Sequence, residues 1–164
     1  LIDGIPNFAE STIMKKFEKK FKISPVADPG DLHEFILGKP WTFGLVFEEN
    51  AYAVRLKPEA FPELKWNFPK QIKQLDLTVA HYFIIEDILG IPGKRQNTSA
   101  NIEYERNFTK CTTAVMKDRA QMAIITNDVR IEDVKRVCGC GCTMPPKSTF
   151  FYPKAVCGFL YCSI

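Results

Sequence analysis

The chain has 164 residues, of which 46% are hydrophobic and 25% charged, a composition typical of a globular domain and unlike that of a disordered chain. Its formal net charge of +3 comes from 22 basic and 19 acidic side chains without a block of like charge, which argues against nucleic-acid binding. No apolar run reaches the roughly 18 residues that span a bilayer, so we expect no membrane contact. Because the chain has enough hydrophobic residues to fold without disulfide bonds, we expect its six cysteines to be reduced thiols in a cytoplasmic protein. Because the first residue is not methionine, we expect an N-terminal portion to be absent from this sequence.

The sequence over 1–70 predicts helices and one hairpin. Asn7 with Glu10 three residues later is typical of a helix N-cap and its reciprocal partner. A second helix is predicted over 28–38, with proline at its first position and glycine at its end. Two aromatic and β-branched runs flanking a polar turn predict an antiparallel hairpin over about 41–57. The apolar residues at helical spacing in the first helix are Phe8, Ile13, Phe17 and Phe21.

Residues 71–164 predict alternating helices and strands. The segment "LDLTVAHYFIIEDILG" is apolar almost all round, which predicts a central buried helix with Asp76 as its cap and Gly90 as its stop. Asn127 or Asp128 is predicted to cap a later helix. The remaining predicted elements are a strand at 100–104, a helix at 108–117, a strand at 121–125 and a final strand at 155–164.

These elements predict an α/β (α+β) fold in a single domain over 1–164. Alternating strands and helices favour parallel pairing, whereas the hairpin adds an antiparallel pair. We therefore expect a mixed sheet with a βαβαβ-like C-terminal part and helices packed against it.

Four segments of the second half, "LDLTVAHYFIIEDILGI", "IEY", "AQMAIITN" and "MPPKSTFFYPK", resemble the C-terminal half of a bacterial and archaeal family catalogued as domain of unknown function 1015. The resemblance covers roughly 75–159. The family pattern is similar to a leucine-aspartate start with a histidine five residues after the aspartate, here Asp76 and His81. Its most specific signature is similar to "MPQKSTYFYPK", from which this chain departs at Pro146 and Phe150.

The resemblance implies a longer protein whose N-terminal region is similar to ParB-like domains. Some relatives of that ParB-like group are nucleotide-dependent kinases of free serine, and the "DGHHR"-type motif of that region is absent from this chain. The chain departs from the family again over 127–129, where the family tends to have Asn-Pro-Thr. A kinase-like transferase is therefore implied by analogy alone, which is a weak basis for function.

The signature segment carries the best candidate for a ligand site. Lys147, Ser148 and Thr149 supply a cation, two hydroxyls and consecutive backbone N–H groups, which are the components of an anion site. Tyr152 is suited to stack on a ring, and Lys154 adds a second cation. Without a glycine-rich turn this is not a P-loop. The alternative is a rigid connection that docks its aromatic side chains into the core.

His81 is the candidate acid–base residue. On a helical wheel it lies in the most apolar sector, where an unbonded ring nitrogen costs free energy. One interpretation is a structural histidine bonded to a backbone carbonyl or a carboxylate. The other is an acid–base or ligand-contacting residue that reaches a pocket.

Cys138, Cys140 and Cys142 form a C-x-C-x-C pattern rather than the two spaced pairs of a zinc site. We interpret them as small thiols packed at a helix end, with Cys138 facing inward beside Ile131 and Val134. A thiolate metal or redox site is the weaker alternative, and no metal is expected within these residues.

The leading functional hypothesis is a C-terminal domain that contributes an anion-, nucleotide- or metabolite-facing loop to a site completed by a missing N-terminal half. Its partners would be that half and an anionic small metabolite, with a nucleotide as the candidate cofactor. The fragment alone is not expected to be active, and whether the whole protein is an enzyme stays open. The alternatives are a non-catalytic interaction domain and a thiolate site.

Overall fold

The computed structural model describes residues 1–145, which fall into two compact units, Leu1–Asp128 and a second unit that begins at Val129. None of the helices within residues 1–145 is long and apolar enough to cross a membrane. The predicted final strand at 155–164 lies outside the described residues. The single domain over 1–164 stays a prediction.

The first unit contains six helices and four strands among its described elements. The helices are α1 (Glu10–Lys20), α2 (Leu32–Ile36), α3 (Lys70–Lys73), α4 (Asp76–Val79), α5 (Gly93–Gln96) and α6 (Phe108–Met116). The strands are β1 (Phe21–Val26), β2 (Thr42–Val46), β3 (Ala51–Leu56) and β4 (Ala123–Ile125). Helix α4 continues directly as a π-helix over Ala80–Ile88, and we call Asp76–Ile88 the α4–π helix. Short 3₁₀ turns lie at Pro29–Asp31 and Pro58–Glu63, and helix α7 of the second unit is Ile131–Gly139.

The four strands form one sheet in the order β1-β3-β2-β4, and each neighbouring pair is antiparallel. The α+β class, the hairpin and the helices packed on the sheet are confirmed. The parallel pairing and the βαβαβ-like part are wrong for the described residues, because β4 pairs antiparallel with β2. Alternation predicts parallel strands only where one crossover joins neighbouring strands. Here residues 57–122 separate β3 from β4 along the chain. Strand β4 then pairs with β2, the first strand of the hairpin, and not with β3.

Helices cover both faces of this sheet. On one face α1 and the α4–π helix bury a cluster that includes Phe43, Leu45 and Val54, all of them fully enclosed. On the other face small side chains such as Ala53 and Ala123 let α2 and α6 pack closely. Because neither face meets water, β2 is buried at every residue and reads as an apolar run rather than an alternating strand.

The predicted capping pair at the start of α1 is wrong. Helix α1 begins at Glu10, its N-cap is Ala9, and no side chain caps it. Asn7 instead adopts a left-handed backbone conformation, with φ of 54°. The Glu10 carboxylate accepts hydrogen bonds from the Tyr52 hydroxyl (2.8 Å) and the Asn50 amide (3.1 Å). It therefore ties the helix to the hairpin.

Phe21 follows the helical spacing of the first apolar stripe, yet it begins β1, where it pairs with Leu56. The Phe21 ring would be buried in the same cluster at the end of a helix or at the start of a strand. Helical periodicity alone therefore cannot distinguish the two. Strand β1 lies at the edge of the sheet and contains Pro25. Proline lacks the N–H that a central strand needs, so an edge position suits it.

The other predicted boundaries hold in part. The helix over 28–38 is confirmed: the Asp28 side chain accepts from Gly30 N (2.8 Å), and the helical turn is followed by Gly38 with φ of 68°. The helix at 108–117 and the strand at 121–125 correspond to α6 and β4. The strand predicted at 100–104 is wrong, because only an isolated bridge between Ile2 and Ile102 forms there.

Replacement of Phe43 by alanine tests the double-sided core. Its ring is fully buried, and its loss leaves a cavity between sheet and helices, so we expect the free energy of unfolding to fall by about 3–5 kcal/mol in urea titration. Phe35→Ala is the control, since Phe35 is 42% exposed, and it should cost no more than about 0.5 kcal/mol. Equal effects of the two variants would contradict this core.

Candidate functional site

The α4–π helix is the predicted central buried helix, and it is confirmed with Gly90 (φ 77°) directly after its end. From Ala80 the backbone is wider than an α-helix, and at its end Leu89 N donates to Ile84 O (3.0 Å). π-helical segments are rare and are found frequently at functional sites. The helix buries Ala80, Phe83, Ile84, Ile85 and Ile88.

Asp76 does not cap this helix as predicted, because Leu75 holds the extended N-cap position. Its carboxylate accepts from the backbone N–H of Trp41 (2.8 Å) and from the side-chain amide of Asn127 (3.4 Å). Trp41 has a φ of 55°, which costs a non-glycine residue free energy. The Asp76 carboxylate therefore stabilises a strained backbone just before the hairpin.

Asn127 likewise does not cap α7, nor does Asp128. Helix α7 begins at Ile131 with Arg130 as its N-cap and without a side-chain cap. The Asn127 amide instead donates to the Lys39 carbonyl (3.2 Å) and to Asp76 within the first unit. Its bonds reach residues distant in sequence, which a local capping pattern cannot predict.

His81 is held by one buried side chain, that of Gln96, which is only 3% exposed. His81 Nδ1 lies 2.5 Å from Gln96 Oε1, while Gln96 Nε2 donates to the carbonyls of His81 (3.0 Å) and Ile91 (2.9 Å). Carbonyl oxygens only accept, so the amide nitrogen must face them and the amide oxygen must face the ring. It follows that Nδ1 carries a proton and donates to Gln96.

The surroundings of His81 favour the neutral ring. Burial lowers the pKa of His81 below its ordinary 6.5, and the hydrogen bond with Gln96 opposes that effect only in part. In a neutral ring protonated at Nδ1, Nε2 carries the lone pair. The Tyr104 ring stacks beside it, with 6.3 Å between the ring centroids, and is 40% exposed. His81 thus presents a basic nitrogen at the margin of the core.

Glu86 anchors the start of α5 in the same way that Gln96 anchors its end. Glu86 Oε1 accepts from the Trp66 indole (3.2 Å), and Oε2 accepts from Gly93 N (2.5 Å). A Cβ on Gly93 would overlap the Trp66 ring and come within 2.9 Å of Glu86 Oε2. Only glycine fits here, because the backbone approaches both side chains closely.

Sequence reasoning predicted a backbone carbonyl or carboxylate partner for His81 and missed Gln96. Gln96 lies in a four-residue helix within a polar stretch, so no periodicity marks it as buried. Gly93, in the same stretch, was missed for the same reason. The glycine directly after Pro92 was the single local signal, and it indicates a turn as readily as a close approach.

A cavity of about 340 Å³ lies between α1 and the end of the α4–π helix. Lys16 is its cation, and its ammonium group donates to the Ile88 carbonyl (2.9 Å) at the helix end. That bond satisfies a carbonyl that the helix end leaves open. The cation of this cavity therefore has a structural role, and we place no ligand there.

The second unit contains the three cysteines of the C-x-C-x-C pattern. Cys138 and Cys140 are exposed and Cys142 is partly exposed, so the inward position predicted for Cys138 is wrong. Ile131, its predicted neighbour, is 50% exposed, while Val137 is the buried residue of α7. Within residues 1–145, no three His, Cys, Asp or Glu side chains lie close enough to hold a metal ion.

The predicted anion site lies outside the described residues. This holds for each of its members, Lys147, Ser148, Thr149, Tyr152 and Lys154. Their role stays a prediction from the sequence. No model of a known protein family matches the chain, and it matches neither a curated protein nor a solved structure.

Gly93→Ala tests the close approach at α5. The added methyl group has to displace Trp66 or Glu86, so we expect the free energy of unfolding to fall by about 1–3 kcal/mol in urea titration. Gly139→Ala is the matched control, because nothing lies within 4 Å of its Cβ position in a helix. There alanine should stabilise by about 0.5–1 kcal/mol. A Gly93→Ala variant as stable as the wild type would show that the backbone does not approach Trp66 and Glu86 closely.

The lowered pKa of His81 predicts how stability depends on pH. Below pH 6.5 the unfolded chain binds a proton at this ring that the folded chain does not yet bind, so stability falls as the pH drops through the window just below 6.5. His81→Asn should flatten this part of the stability profile, as measured by urea unfolding at a series of pH values. An unchanged profile in His81→Asn would contradict the burial of the His81 ring.

Proposed function

We propose that this chain is the C-terminal half of a cytoplasmic protein related to domain of unknown function 1015 and that it binds an anionic small metabolite, with a nucleotide as the candidate cofactor. The observation that carries the proposal is the fixed tautomer of His81. Gln96 holds Nδ1 as a donor, which leaves Nε2 as an acceptor beside a half-exposed aromatic ring. Perturbed titratable groups of this kind are enriched at functional sites.

The chemistry proposed for His81 is that of a hydrogen-bond acceptor or general base. A neutral imidazole nitrogen can receive the proton of a ligand hydroxyl at neutral pH. The hydrogen bond from Nδ1 to the amide oxygen keeps the ring oriented while Nε2 gains or loses that proton. Among the described residues, burial lowers the pKa of the ring and the hydrogen bond with Gln96 raises it.

The segment Lys147–Lys154 is proposed to hold the anionic part of the ligand. Two ammonium groups, two hydroxyls and backbone N–H groups suit phosphate oxygens. Three prolines, Pro145, Pro146 and Pro153, lower the entropy that such a segment loses when it is ordered. A transferase reaction, completed by the N-terminal half, rests on the family resemblance alone.

A specific observation favours the second candidate, a non-catalytic interaction domain. The polar groups of His81, Glu86 and Gln96 make hydrogen bonds within the protein, and together they fasten α5 to the α4–π helix. A purely structural polar cluster would look the same. The two functions differ in whether Nε2 of His81 is needed.

Thermal-shift titration of the full chain with ATP, ADP and inorganic phosphate tests the binding proposal. A ligand that binds the folded state raises the melting temperature. Lys147→Ala should weaken binding about tenfold, the value of a hydrogen bond from a charged group. Lys22→Ala, at an exposed lysine of β1, should have no effect. The absence of any shift in the wild type, or equal shifts in both variants, would sink the proposal.

His81→Asn separates the two functions in the same titration. The asparagine amide can still donate toward Gln96, but it lacks an equivalent of Nε2. If His81 contacts the ligand, binding should weaken while stability at pH 8 changes little. If His81 is only structural, nucleotide binding should equal that of the wild type.

A further inference from the structure

Helix α7 ends in a turn in which Cys140 and Cys142 flank Gly141. Gly141 N donates to Cys138 O (3.0 Å) and Cys142 N donates to Val137 O (3.2 Å). With Gly141 in the left-handed region at φ of 75°, this is the hydrogen-bond pattern of a Schellman motif. The glycine is required here because other residues pay a steric cost at that φ.

This turn fixes the separation of the two cysteine backbones. A left-handed residue has the mirror-image geometry of a helical one, so the Cα atoms that flank it lie about 5.4 Å apart, as two helix positions do. Disulfide bonds join Cα atoms about 4.4–6.8 Å apart. The turn therefore meets the distance requirement without any backbone movement.

Both thiols are accessible, and that of Cys142 reaches the backbone of Cys140. Cys140 is exposed, and its Sγ donates to Val137 O (3.0 Å). Cys142 is partly exposed, and its Sγ lies 3.8 Å from Cys140 O. Interaction with Cys140 raises the pKa of Cys142. Cys140, the more exposed of the two thiols, is thus the better placed first nucleophile, with Cys142 as the second thiol.

The geometry points to a reversible disulfide between Cys140 and Cys142, formed by exchange with a low-molecular-weight disulfide such as glutathione disulfide. The Cys140 thiolate attacks one sulfur of glutathione disulfide, which forms a mixed disulfide and releases one glutathione thiolate. The Cys142 thiolate then attacks the Cys140 sulfur, forms the Cys140–Cys142 bond and releases the second glutathione. The protein loses two electrons and two protons, and glutathione disulfide is reduced to two glutathione thiols.

The remaining described cysteines are poorly placed for this reaction. Cys138 and Cys140 are separated by Gly139, which is part of the right-handed helix, where residues two apart do not face each other; only Cys140 and Cys142 flank the left-handed Gly141. Cys111 is buried in the first unit, where burial raises the pKa of its thiol. Because the Cys140–Cys142 ring is small and accessible, we expect the disulfide to be easily reduced, as labile regulatory disulfides are. Cytoplasmic disulfides are typically of this transient kind.

Equilibration of the full chain in glutathione buffers of increasing oxidised-to-reduced ratio, followed by alkylation and peptide mass mapping, tests the inference. The wild type should lose two of its six alkylatable thiols, with the bond mapped to Cys140 and Cys142, and excess reduced glutathione should restore both. Cys138→Ser is the matched control and should behave as the wild type. Cys140→Ser and Cys142→Ser should instead gain one glutathione adduct at the remaining thiol.

Gly141→Ala tests whether the turn creates the pair. Alanine lets the reduced turn open to avoid this φ, and closing the turn for the disulfide then costs about 1 kcal/mol, so about fivefold more oxidised glutathione should be needed for half-oxidation. Retention of all thiols by the wild type in oxidising buffer would overturn the inference. So would a bond mapped to Cys138, Cys157 or Cys162, or a Gly141→Ala midpoint equal to that of the wild type.

Discussion

The carboxamide of Gln96 is the group on which the proposed chemistry depends. One buried side chain makes three hydrogen bonds, to the ring of His81, to its backbone carbonyl and to the carbonyl of Ile91. These bonds join α5 to the π-helical segment and assign the protons of the histidine ring at the same time. An unbonded carboxamide at this depth would cost several kcal/mol, so its orientation is strongly determined. The orientation in turn leaves Nε2 of His81 as the basic nitrogen.

The packing of helices on the sheet determines where the His81–Gln96 pair lies. Since helices cover both of its faces, the α4–π helix has to present a wide apolar surface to the rings and aliphatic chains of β2 and β3. His81 and Glu86 then lie on the side that meets α5. Asp76 fixes the beginning of the helix to the backbone before the hairpin, and Lys16 bonds the carbonyl of Ile88 at its end. The position of His81 along the helix is therefore set from both ends.

Local signals in the sequence predicted the parts of the fold that local interactions stabilise. The hairpin, the 3₁₀ turn capped by Asp28, helix α6 and the central helix all follow from turn residues or periodicity. The direction of β4 could not be predicted, because it depends on the path of a long connection. Glu10, Asp76 and Asn127 have the sequence signature of caps, yet their bonds reach residues that are far away in the chain. His81 was found by its polarity within an apolar helix, whereas Gln96 carries no such contrast with its neighbours.

His81 is a neutral imidazole protonated at Nδ1, with Nε2 as its acceptor. Long-range ¹H–¹⁵N correlation NMR of the ¹⁵N-labelled chain at neutral pH measures this directly, with His81→Asn for assignment and Gln96→Leu to remove the amide. We predict a protonated-type ¹⁵N shift at Nδ1 and an unprotonated-type shift at Nε2 in the wild type, and loss of that single tautomer in Gln96→Leu. A ring protonated at Nε2, or an imidazolium at neutral pH, would contradict the account.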